Sequence, residues 1–140
     1  MADLSITASL VASVSGAQID RTSNAGATIT AGQLVYRDSA GLWQLSDANS
    51  AAAAKTITGV ALHGSLNGQP LAVQLGGDIT IGATVGVGTV YVLSGTPGGI
   101  ALGCPGTTDL ATGMTTCIFG IGISTTVIRM GIFNSGVAVP

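Results

Sequence analysis

AGQLVYRDSAGLWQL, residues 31–45, reads as two short β-strands closed on each other by a tight turn. The runs QLVYR (33–37) and LWQL (42–45) are rich in the β-branched, aromatic and apolar side chains that suit a pleated, half-buried surface. Between them Asp38, Ser39, Ala40 and Gly41 supply local side-chain hydrogen bonds and a residue free to take positive φ. The same vocabulary continues on both sides. TITGVALH (56–63) is a third strand-like run, and further ones fall near 78–81, 84–93, 99–102, 115–123, 126–133 and 136–139. Turn signals separate them at Gly76-Gly77, Gly95 to Gly99 and Cys104 to Gly113. Asn67-Gly68, between GVALHG and QPLAVQL, is a hairpin signal because both residues accept positive φ. Only SDANSAAAAK (46–55) offers helix material, a short turn that Asp47 could cap.

The quoted stretch also has an echo. AGQLVYRDSAGLWQL aligns with VGTVYVLSGTPGGIAL (87–102), matching Gly32 with Gly88, Tyr36 with Tyr91 and Leu45 with Leu102, while ITGVAL (57–62) aligns with IFGIGI (118–123). The expectation is an all-β, Gly-rich barrel or sandwich over residues 28–140 with an internal two-hairpin duplication, because closing strands on one another removes exposed edges. At 140 residues the chain suits one fold that buries roughly two-thirds of its unfolded surface.

Charge sets the class of partner. From Thr56 to Pro140 the only formally charged side chains are Asp78, Asp109 and Arg129, and the net charge of the chain is −2. The basic residues Arg21, Arg37, Lys55 and Arg129 are scattered, which leaves no footprint for nucleic acid or anionic lipid. Such a surface protects weakly against self-association, so the chain reads as a component of an assembly and is expected to be a homo-oligomer. Residues 111–133 are apolar enough to suggest a membrane span, but Thr, Ser, Arg129 and four glycines interrupt them, and paired strands explain them better.

Residues 1–27 stand outside the duplicated pattern. Leu4, Ile6, Ala8, Leu10, Ala12 and Val14 alternate with Ser and Thr, giving a strand with one buried face, and the polar, turn-rich segment 15–27 follows. This extended N-terminal arm is expected to attach to a neighbouring subunit or to another protein by strand addition, with Leu4, Ile6 and Leu10 entering apolar pockets. It carries no basic n-region of a secretory signal.

Chemistry is sparse. His63 is the sole histidine and reads as a strand-end residue beside the turn 64–68. There is no G-x-S-x-G elbow, no complete G-x-G-x-x-G and no P-loop. Asp38, Asp47, Asp78 and Asp109 sit in turns or beside glycine, too dispersed for a calcium loop. Trp43, Tyr36 and Tyr91 could form a sugar-stacking surface, but anchoring a core or an interface suits them better. Cys104 and Cys117 read as reduced, partly buried thiols in preference to a disulfide. No catalytic residue, cofactor or metal is assigned, and the chain is expected not to be an enzyme.

The motifs AGQLVYRDSAGLWQLSDA, ITGVAL, LAVQLGGDI, VGTVYVLSGTPGGIAL and IFGIGIS together resemble bacteriophage capsid cement, or head decoration, proteins. The matching features fall at Gly32–Tyr36, Gly41–Trp43, Asp47–Ala54, Gly59–Leu62 and Gly88–Ser94, and the resemblance spans about residues 28–133. It implies a small β-barrel-like virion protein, commonly trimeric, that binds the outer capsid surface and bridges major capsid protein subunits after assembly in the host cytoplasm. The rival reading is a phage tail or fibre module that binds a receptor.

Overall fold

Strand is the dominant regular structure of this glycine- and β-branched-rich chain, as its side chains favour. The computed structural model describes residues 3–49, 52–104 and 113–139, leaving aside the side chains of Ala52, Ala53 and Cys104. Asp109 and most of the turn expected over 104–113 lie outside the described residues, as does the Cys104 thiol. Cys117 is a free, buried thiol.

Ten strands occur among the described residues: β1 (Ala12–Ser13), β2 (Gln18–Asp20), β3 (Leu34–Arg37), β4 (Trp43–Leu45), β5 (Gly59–Ala61), β6 (Val73–Thr80), β7 (Val90–Leu93), β8 (Ile100–Cys104), β9 (Thr115–Gly122) and β10 (Val127–Ala138). Two single 3-10 turns, Ala8–Leu10 and Ala52–Lys55, are the helical content. The cap expected from Asp47 would fall on residues 50 and 51, which lie outside the described residues; Asp47 Oδ1 accepts from the Asn49 N–H at 2.9 Å. The sheet is antiparallel and curls into a half-barrel, so the protein is all-β.

Strand order is β4-β3-β5-β6-β10-β9-β7-β8, which reads as the same four-strand unit twice, the second copy reversed. In each unit a hairpin, β3–β4 or β7–β8, pairs through its first strand with the next strand, β5 or β9, which in turn pairs with β6 or β10. The two units join where Ile79 lies opposite Ile128. Register corrects one detail of the sequence echo. Val35 faces both Leu45 and Gly59, while Tyr91 faces both Leu102 and Gly120. Val35, not Tyr36, is therefore the counterpart of Tyr91, at the same separation along the chain as Gly32 from Gly88. Gly32 and Gly88, which precede the two hairpins, both have positive φ (+88° and +78°), so this pair is matched in conformation as well as in sequence.

Two more expectations change. Gly76-Gly77 is not a turn but lies inside β6, where Gly77 takes φ +90° and the pairing with β2 shifts register. Two consecutive residues without Cβ let the strand bulge there, and buried Gln74 pins the bulge by donating to the Gly76 and Asp78 carbonyls at 3.1 and 2.8 Å. At Asn67-Gly68 only Gly68 has positive φ, so the connection between β5 and β6 runs through a wider loop than a two-residue hairpin.

Both faces of β3 and β5 are covered. Leu34 and Val60 enter the larger core with Ile79, Leu93, Ile100, Phe119 and Ile128, whereas Val35 and Ala61 enter a smaller cluster built on Trp43, Ile29 and Leu71. Trp43 and Tyr91 are thus core residues, and the Arg37 guanidinium lies 4.6 Å from the centroid of the Trp43 ring.

Residues 4–14 do not form one strand with one buried face. The 3-10 turn at Ala8–Leu10 breaks the run, leaving Leu4, Ile6 and Val11 half-buried against the larger core of the same chain and Leu10 60% exposed. The whole N-terminal segment instead straps the sheet. Asp3 bridges Ala101 of β8, β1 and β2 pair with β6, and Ala25 bridges Trp43 of β4. Both terminal strands of the sheet path are met in this way, which is how an edge is kept from recruiting another chain.

Candidate functional site

Asp20, Asp38 and Asp78 are each engaged within the fold. Asp78 accepts from Arg129 Nε at 2.9 Å and Nη2 at 3.2 Å, across the junction of the two four-strand units. Arg37 pairs with Asp20, tying β3 to the N-terminal segment. Asp38 closes the β3–β4 turn by accepting from the Ala40 and Leu42 N–H groups and the Gln44 amide, each at 2.9 Å. All three carboxyls are held below the ordinary aspartate range: Asp20 chiefly by the Thr22 hydroxyl, Asp38 chiefly by the Gln44 side chain, Asp78 chiefly by the Arg129 side chain.

His63 is likewise structural. Its Nε2 accepts from the Ala72 N–H at 3.0 Å, which leaves the proton on Nδ1 to be donated to the Gly64 carbonyl at 2.9 Å. Among the described residues no group of three His, Cys, Asp or Glu is placed to hold a metal ion, and no helix is long and apolar enough to cross a membrane.

Apolar groups, by contrast, are left on the surface. Ile121 on β9 and Phe133 and Val137 on β10 are exposed, Phe133 by 62% and Val137 by 65%. Phe133 stands opposite half-buried Ile118, and Ile121 opposite Arg129. A second group, Leu10, Val87 and Ile123, flanks the loop between β6 and β7: Gly88 N–H donates to the Gly122 carbonyl at 2.7 Å, and Thr7 N–H to the Gly82 carbonyl at 2.8 Å. Leu10 itself lines an open groove of about 550 Å³ with Ser5, Thr7, Thr80 and Thr84. Of Leu4, Ile6 and Leu10, the structure therefore brings Leu4 and Ile6 onto the chain's own core and leaves Leu10 outward. Phe133 and Val137 were not singled out as contacts from sequence, because the register shifts on either side of Phe133 and Asn134 hide their facing from a strict period of two.

No protein family, curated protein or solved structure matches this chain, so its surface chemistry and the sequence motifs carry the functional reading.

Proposed function

We propose that the chain is a non-enzymatic virion structural protein that binds the outer surface of a bacteriophage capsid, as a homotrimer, and stabilises the shell by bridging major capsid protein subunits. The observation that carries the reading is the contrast on its surface: Asp20, Asp38 and Asp78 are engaged within the fold, while large apolar side chains on β9 and β10 stand exposed. A cement protein needs this kind of surface. It raises the stability of the shell by binding the assembled state in preference to free subunits, and many weak copies suffice. The motif resemblance over residues 28–133 supplies the capsid; exposed apolar strands alone would fit any partner.

Purified virions, dissected into heads and tails, test the placement: the chain is expected on heads, and recovery on tails favours the receptor-binding reading. Phe133→Asp tests the surface. The variant is expected to fold, because Phe133 is exposed, and to bind expanded capsids more weakly than the wild type. The arm is tested by deleting residues 2–15, which is expected to leave a folded domain that no longer stabilises capsids; unchanged decoration would assign the contact to the sheet alone.

A further inference from the structure

We propose that residues 3–14 are an exchangeable strap, which leaves its own sheet by straightening the turn at Ser15–Gly16 and seats in the same place on a second copy of this chain. This goes beyond capsid binding and does not depend on it.

The seat is built for this segment. Leu4 N–H donates to the Ile100 carbonyl and Thr7 N–H to the Gly82 carbonyl, both at 2.8 Å, and Ala12 and Ser13 lie opposite Thr80 and Ile79. Glycines make the room. A Cβ on Gly99 would stand 2.7 Å from Asp3 Oδ2, one on Gly32 2.8 Å from Ile6 Cγ2, and one on Gly82 2.5 Å from the Thr7 carbonyl oxygen. Gly32 and Gly82 also have positive φ, so no other residue fits there without strain. A seat this specific recognises the strap whichever copy supplies it.

The attachment within one chain is light. No residue from 3 to 14 is fully buried, and the 550 Å³ groove stays open between Ser5, Thr7 and Leu10 of the strap and Thr80, Gly82 and Thr84 beneath it. Segments with few buried contacts open at low free-energy cost. The hinge is equally permissive. Ser15 and Gly16 are exposed, Gly16 has φ +87° with nothing within 4 Å of its Cβ position, and straightening this turn breaks the single 3.2 Å bond from Ala17 N–H to the Val14 carbonyl. Beyond it the chain is fixed again, through Gln18–Asp20 on β6 and the Asp20–Arg37 pair. Exchange about such a hinge keeps every strap contact and changes only which copy makes it. Neighbours held at high local concentration therefore favour it.

The test mixes two full-length single variants, Ala12→Cys and Thr80→Cys, at high protein concentration without capsids, then oxidises and maps disulfides by mass spectrometry. The expected result is a covalent heterodimer of doubled mass joined between the two introduced thiols, which face each other across β1 and β6. In a second variant, Ala12→Cys and Thr80→Cys stand in one chain; oxidised at low concentration it closes its own bridge and locks the strap on its own sheet, and it is expected to stay monomeric on concentration while its reduced form associates. The proposal is overturned if no such heterodimer forms while the double variant closes its bridge within one chain, or if the locked double variant associates as its reduced form does.

Discussion

Asn134 behaves as a surrogate peptide group, and its replacement isolates what that is worth. Its Oδ1 accepts from the Ile57 N–H at 2.8 Å and its Nδ2 donates to the Ile57 carbonyl at 3.0 Å, so one side chain makes the two bonds that a paired strand residue would make. The link joins β10 to the segment leading into β5, and beside it Cys117 Sγ donates to the Lys55 carbonyl at 2.9 Å. Asn134→Leu keeps similar volume and removes both bonds. At about 0.5–1.5 kcal/mol net for each, the expected loss is about 1–3 kcal/mol. For a chain of this length that corresponds to a fall in Tm of about 4–12 °C, with a lower urea midpoint at unchanged m. Asn134→Asp sharpens the test. The carboxylate still accepts from the Ile57 N–H but sets a second oxygen against the Ile57 carbonyl. Its charged form is therefore disfavoured in the folded state, and its folded pKa rises above the unfolded value. The deficit relative to wild type is full above that raised pKa and shrinks as pH falls through it, when the proton restores a donor. If Asn134→Leu unfolds within about 0.5 kcal/mol of wild type, water replaces the amide and the surrogate-strand argument fails.

Gly82→Ala forces a left-handed alanine, at about 1–2 kcal/mol, and drives Cβ into the Thr7 carbonyl, whereas Gly41→Ala meets the φ cost in open space; protease cleavage within residues 3–14 should accelerate in the first variant only. Asp20, Asp38 and Asp78 have folded pKa values below their unfolded ones, so their contribution is whole above the unfolded value of about 3.9 and is lost as pH falls through the folded values. Urea midpoints should accordingly stay level on acidification until that range and then drop, and Asp78→Asn should flatten the drop; an unchanged slope would refute a folded-state role for the Arg129 pair. Burial raises the Cys117 thiol above its ordinary pKa, so site-resolved alkylation of native protein at neutral pH should label it only at the rate of unfolding, and rapid labelling would contradict the burial.

What sequence made legible was local. Residues 33–37 and 42–45 are a hairpin because their side chains and the turn between them agree, and the structure places strands over 34–37 and 43–45. The second hairpin follows from the same echo, although matching the two tyrosines missed Val35 as the counterpart of Tyr91, and the palindromic strand order comes from the long-range pairing of β6 with β10. What stayed hidden was long-range. Gly76-Gly77 has the composition of a turn, and only the need to pass β6 from one unit to the other makes it a bulge. Residues 4–14 alternate as a strand should, yet Gly82 accepts Thr7 and the backbone coils through Ala8–Leu10 to follow the sheet's curve, a constraint set by residues some seventy positions away in the chain. Leu4, Ile6 and Leu10 therefore looked equivalent, and packing separates them. Facing on β10 depends on the shifts between Met130 and Phe133 and between Asn134 and Ala138, so the exposure of Phe133 and Val137 could not be counted off from a strict period of two.

The palindromic order of strands also writes a timetable. During synthesis the first four-strand unit is finished when β6 emerges, but Gly77–Thr80 must wait for Val127–Met130 before that edge is filled. Ribosomes add about 5–20 residues per second, so the wait lasts several seconds, while hairpins close in about 1–10 μs. Over that interval a nascent chain carries a structured half with an open side, the condition under which unfinished β proteins associate with one another. Slowing translation between Ile81 and Thr126 with synonymous codons lengthens the exposure without altering one contact of the finished protein.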